Sequence, residues 1–153
     1  MRTVDNALAP YWPASGDGIF PWQHALNNHD TAGRSALTSS LNSYAALCHA
    51  ATIHWWHDPA TGEPIKRNKG ELMMMIVSEL SEAMEDERKD LPDDHLPHRR
   101  MAEVELVDAL IRLFGYAGAF GYLGGAFREK MAYNSQRADH KPEARLAKGG
   151  KKW

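Results

Sequence analysis

Two acidic pairs, each spaced i, i+3 and each set in an apolar stretch, constrain this chain more than any other feature. Glu79-Leu80-Ser81-Glu82 is separated by 22 residues from Glu105-Leu106-Val107-Asp108. Three residues advance an α-helix by about 300°, so the two acids of each pair lie roughly 60° apart on one face. If two such helices pack antiparallel, four carboxylates converge on one point. Unit charges about 4 Å apart repel by roughly 1 kcal/mol in water and several times more once water is excluded. A divalent cation removes that cost, and oxygen ligands suit Mg²⁺ or Mn²⁺. The competing reading is a pair of solvated helix faces, because short motifs of this kind often arise without a ligand.

The rest of the chain supports helices and nothing else. Strand-like alternation is absent, and the 153 residues suit one domain with a core. Apolar residues at 3- and 4-residue steps predict a first helix over 35–57, through Leu37, Leu41, Tyr44, Leu47, Cys48, Ala51 and Trp55. A second is expected over 69–89, with Leu72, Met73, Ile76, Leu80, Ala83 and Met84 as its buried stripe. A third is expected over 101–120, buried through Val104, Val107, Leu110, Ile111 and Phe114, and a fourth over 126–138. Pro92 and Pro97 make 90–100 a reversing loop. Gly115, Gly118, Gly121 and Gly124 recur every three residues, at a cost of roughly 1 kcal/mol each inside a helix. Either close helix approach or a frayed helix end accounts for them.

Residues 1–34 are Pro- and Gly-rich yet carry Tyr11, Trp12, Phe20 and Trp22, which predicts an irregular arm lying on its own domain or on a partner subunit. Residues 35–140 form the helical body, and 141–153 read as a flexible basic tail. The net charge of −2 gives no sign of nucleic-acid binding. No apolar run approaches 18 residues and no leader is visible at Met1, which predicts a cytoplasmic protein without a membrane partner. Cys48 stands alone, so no intrachain disulfide forms, and its neighbours predict a small core residue.

A second constellation lies on the fourth helix. Lys130, Asn134 and Arg137 step by 4 and 3 and share a face. A point charge, an amide and a bidentate fork together suit a polyphosphate, although a basic surface stripe looks the same. Trp55 and Trp56 are expected on different faces of the first helix, and Trp56 is the candidate to stack on a nucleobase. Asn68 and Lys69, at the start of the second helix, either read a base or phosphate or cap the helix. His49, His54 and His57 raise zinc as a weaker possibility, since a tetrahedral site needs a further ligand.

With these residues in hand the chain resembles the MazG-like nucleoside triphosphate pyrophosphohydrolases of the all-α NTP pyrophosphatase superfamily. The resemblance rests on Glu79, Glu82, Glu105 and Asp108, and on the Lys130-Met131-Ala132-Tyr133-Asn134 run with Arg137 and His140, as in small phage-encoded members. It implies an all-α four-helix bundle assembling as a dimer or tetramer. It also implies two or three Mg²⁺ or Mn²⁺ ions held by Glu79, Glu82, Glu105 and Asp108. The implied reaction is cleavage of a (deoxy)nucleoside triphosphate between the α- and β-phosphates, giving a monophosphate and pyrophosphate in the host cytoplasm. Glu79 or Glu82 is the expected proton acceptor, and Lys130, Asn134 and Arg137 the β- and γ-phosphate ligands. Phage relatives imply a purine substrate, dGTP or dATP. Two other classes remain in view: a non-catalytic nucleotide-binding module, and a carboxylate–metal four-helix bundle of the di-iron kind. The latter wants Glu-x-x-His motifs, which neither pair supplies.

Overall fold

The computed structural model describes residues 31–140 and residue 144. Most of the expected arm (1–30) and of the expected tail lies outside the described residues. The described chain holds four α-helices and no β-strand: α1 (Thr31–Ala51), α2 (Lys69–Lys89), α3 (Met101–Phe120) and α4 (Gly124–Gln136). The all-α expectation holds. No single described helix is long and apolar enough to cross a membrane. The chain divides into two units, one spanning Leu41–Leu123 and the other combining Gly124–Trp153 with Met1–Ser40.

In the first unit α2 and α3 pack against each other. They run antiparallel: Arg100 and Asp90 pair at one end, where Met101 N–H also donates to the Leu91 carbonyl at 3.1 Å. At the other end Lys69 Nζ reaches Tyr122 Oη at 3.4 Å. The limits of both helices follow from local chemistry. Asn68 Oδ1 accepts from Gly70 N–H at 2.8 Å and caps α2, offsetting donors that have no partner in the first turn. Asp90, at φ 57°, closes α2, and Gly121, at φ 68°, closes α3, both in the left-handed conformation that ends helices.

The first helix differs from expectation. It begins at Thr31 and stops at Ala51, and Ile53–Trp56 form a separate 3-10 turn. The break has a cause in Thr52, whose buried hydroxyl donates to the Cys48 carbonyl at 2.8 Å while its own carbonyl accepts from Trp55 N–H at 2.9 Å. Trp55 and Trp56 therefore sit on this tight turn rather than on different faces of one α-helix. Cys48 is half-buried, and burial raises its thiol pKa. The fourth helix starts two residues earlier than expected, at Gly124, and stops at Gln136.

The packing of the first unit departs in part from two expected stripes, although Ile76 and Ala83 are buried as expected. Its buried apolar residues are Ala45, Ile76, Ala83, Ala102, Ala109, Tyr116 and Ala117. Leu80, Met84, Val107 and Leu110, which periodicity places inside, are 46–62% exposed. Small side chains let helices approach closely. At Gly118 any Cβ would lie 2.8 Å from His49 Cβ and still closer to the Ala45 carbonyl, so close approach accounts for that glycine. Gly121 serves the left-handed cap instead.

Candidate functional site

α2 presents Glu79 on its buried side, and α3 presents Glu105 and Asp108 one turn apart. One carboxylate oxygen from each of Glu79, Glu105 and Asp108 lies within 4.8 Å of the others. Glu79 is 8% exposed, and Asp86, seven residues along the same helix, is equally covered. Glu82 is exposed and stands outside the group of three, although its charge acts on Glu105.

The electrostatics are those of crowded acids. The Glu105 carboxyl is pushed up to about 7, first by desolvation, then by a hydrogen bond with Glu79, then by the charges of Glu82, Glu79 and Asp108. The Asp108 carboxyl is also raised, by desolvation and the Glu79 charge, against an opposing pull from Arg112. Asp93 adds a further negative charge on Asp108 from the 90–100 loop. That loop was expected only to reverse the chain. Asp93 is 5% exposed and shapes its own turn, accepting from His95 N–H at 2.9 Å and Leu96 N–H at 2.6 Å.

The positive charge that meets this group is Arg112. Its Nε lies 2.6 Å from Glu79 Oε1, but off the line of the N–H, so the contact is an ion pair and no aligned hydrogen bond. The donor set fits a hard divalent cation: all ligands are oxygen, drawn from two helices, and already close enough to draw a guanidinium and to hold Glu105 toward its protonated form.

Arg112 also lines a cavity of about 370 Å³. Trp55, Trp56 and Tyr116 give it aromatic walls, Leu72 and Met75 add apolar surface, and Arg67 is its second guanidinium. Arg67 stands 5.9 Å from the Trp56 ring centre and donates through Nη1 to the Trp55 carbonyl at 2.5 Å. Arg112 stands 5.3 Å from the Trp55 ring centre. A flat, amphipathic ligand with negative charge suits such a lining.

Of the residues expected to read a base, Trp56 lines the cavity, braced edge-on by His49 and Phe120. The Asn68 oxygen is engaged in capping α2. The Lys69 ammonium rests 4.1 Å from the Phe120 ring centre and 5.7 Å from that of Tyr122. The histidines do not converge: His57 Nδ1 contacts the Ile53 carbonyl at 3.0 Å, His54 packs on Trp55, and His49 meets Trp56.

In the second unit, the Lys130 ammonium lies 4.8 Å from the Tyr133 ring centre. Arg137 forks onto Asp139 at 2.9 and 2.5 Å, which raises its pKa, and Asn134 Oδ1 is buried without a hydrogen-bond partner.

Sequence reasoning missed Arg67, Arg112, Tyr116 and Asp93. Arg112 had a signal, since it follows Asp108 by four residues and shares its helix face. Asp93 had none, because a loop residue has no period to place it. Comparison with protein-family models, with curated proteins and with solved structures finds no match to this chain.

Proposed function

We propose that this protein hydrolyses (deoxy)nucleoside triphosphates, purine ones in particular, to the monophosphate and pyrophosphate, using Mg²⁺ or Mn²⁺. One observation carries the reading: three carboxylates from two helices converge beside an aromatic cavity, and one arginine touches both. The resemblance to MazG-like pyrophosphohydrolases supplies the reaction class.

Glu79, Glu105 and Asp108 would hold the metal, with Glu82 one turn from Glu79 completing the acidic set. A bound divalent cation supplies Lewis acidity at the α-phosphoryl group and a water of lowered pKa. The cavity between Trp55, Trp56 and Tyr116 takes the base and fixes the nucleotide. Water attacks the α-phosphorus, its proton passes to a carboxylate, and the bond to the oxygen bridging the β-phosphorus breaks. Glu82, exposed and outside the convergent group, is the carboxylate left to take that proton. Lys130, Asn134 and Arg137 keep, on sequence grounds alone, their assignment to the β- and γ-phosphates. The apolar side chains exposed on α2 and α3 fit a second copy of the chain, so the acting species is a homo-oligomer.

A panel of eight nucleoside triphosphates, assayed for pyrophosphate in Mg²⁺ and in Mn²⁺, tests this reading. Metal-dependent pyrophosphate with a purine preference is expected. Release of inorganic phosphate would place the cleavage at another bond, and no turnover with tight nucleotide binding would leave a non-catalytic module.

A further inference from the structure

Arg112 belongs to both halves of the site. Its guanidinium lies against Glu79 at 2.6 Å, faces the Trp55 ring at 5.3 Å and forms part of the cavity wall. Only a quarter of the side chain is exposed. The contact with Glu79 is unaligned, so Nε is a buried donor without an aligned acceptor. A guanidinium held by an ion pair and a ring contact, with a donor unspent, can turn to a better acceptor.

Arg112 Nε already neutralises Glu79 Oε1 at 2.6 Å. A divalent cation among Glu79, Glu105 and Asp108 competes with Arg112 for that oxygen and repels the guanidinium it displaces. The side chain already borders the cavity and stacks on Trp55, so it needs no large movement to face a ligand there. Arg67, the other guanidinium in the wall, is tied to the Trp55 carbonyl.

We propose that Arg112 exchanges partners: it neutralises Glu79 before a cation binds and, once displaced by one, holds an anionic group of the cavity's occupant. The nature of that occupant, a nucleotide, rests on the function proposed above, whereas the exchange at Glu79 does not. Metal and nucleotide then favour one another, because each removes a competitor of the other, and the coupling is reciprocal.

Calorimetric titration of the full chain tests this without turnover. Mn²⁺ alone is titrated into wild type, R112Q and R112K, followed by a non-hydrolysable purine deoxynucleoside triphosphate analogue with and without Mn²⁺. R112Q should bind Mn²⁺ more tightly than wild type by roughly tenfold, since a competing charge a few ångström away is gone. The same variant should lose the tightening of analogue binding that Mn²⁺ gives wild type. A merely structural arginine would weaken both instead. R112K keeps the charge without the fork, so its Mn²⁺ affinity should stay within about threefold of wild type while the tightening falls. Unchanged or weaker Mn²⁺ binding by folded R112Q overturns the exchange. If R112Q loses its helical circular dichroism, R112K decides: reduced tightening supports the exchange, and full tightening overturns it. An analogue that does not bind wild type in Mn²⁺ overturns the nucleotide half together with the proposed function, while the Mn²⁺ titrations still judge the exchange at Glu79.

Discussion

The side chains that α2 and α3 bury include Ala83, Ala102, Ala109 and Ala117, beside Glu79 and Asp86; those they expose include Met74, Val77, Leu80, Met84, Leu106 and Leu110, each 46–63% open to solvent. An amphipathic helix normally buries more of its large apolar side chains than these two, which bury Ile76 and Tyr116. The comparison teaches two things. Alanine inside lets the helix backbones approach closely, and carboxylates carried on such helices can meet within a few ångström. Methionine, valine and leucine outside mean that packing among the described residues leaves much apolar area of these helices open. Each such side chain is worth roughly 1.5–3 kcal/mol when fully buried, so a second layer covering them would add stabilisation.

The hardest test strikes the outer face. The double variant Leu80→Asp, Leu110→Asp puts charges where the homo-oligomer reading needs apolar contact, at a cost of several kcal/mol in a desolvated setting. Light scattering after size exclusion should show wild type as a dimer or tetramer and the variant as a monomer. A monomeric wild type would remove the second layer and leave the exposed stripe without an occupant.

The inner face is tested next, through its charge. Glu79→Gln takes a ligand from the convergent group and the partner from Arg112. Pyrophosphate release should fall by about a thousandfold or more, since an interaction needed for metal binding is lost, while circular dichroism keeps its helical signal. Activity within tenfold of wild type would show that the three carboxylates do not hold the working metal.

Much of this was legible in the sequence. The second and third helices end where expected, because Asn68, Asp90 and Gly121 are ordinary helix-terminating residues in the right places. The acidic spacing pointed to Glu79, Glu82, Glu105 and Asp108 meeting, from helix geometry and an antiparallel turn; three of them do, and Glu82 stands outside the group. The buried side was misjudged at Val107 and Leu110 for a physical reason. Periodicity finds the apolar stripe of a helix but not which layer covers it. Trp55 and Trp56 were misplaced because one hydroxyl, that of Thr52, ends the helix before them. Arg67 and Tyr116 join the cavity only through tertiary packing, which no local spacing encodes.

A smaller effect is expected where the helices touch most closely. Gly118→Ala would set a methyl 2.8 Å from His49 Cβ and against the Ala45 carbonyl. Overpacking of this kind costs typically 1–3 kcal/mol, offset in part by the better helix propensity of alanine. Thermal denaturation should show a lower Tm for the variant. An unchanged Tm would mean that α1 and α3 can separate freely there, and that alanine-thin packing is not what sets their approach.

The mildest test is pH, and it bears on the inner face, where the Glu105 and Asp108 carboxyls are raised. The Glu105 carboxyl sits at about 7 against an ordinary value of 4.5. The folded chain therefore holds this proton more tightly than the unfolded chain does. Its contribution is complete below about pH 4.5 and is lost as pH rises through about 7. Asp108, also raised, acts in the same direction from a lower starting point. Without metal, the Tm of wild type should thus fall relative to Glu105→Gln between pH 4.5 and 7, since the amide keeps the hydrogen bond and cannot ionise. With Mn²⁺ the order should reverse near pH 7. The cation needs the deprotonated carboxylate, so its binding releases a proton and strengthens as pH rises. Glu105→Gln would then gain stability without metal and gain less from Mn²⁺. Parallel pH profiles for the two proteins, with and without Mn²⁺, would mean that Glu105 does not share its proton with Glu79, and that the inner face is not under electrostatic strain.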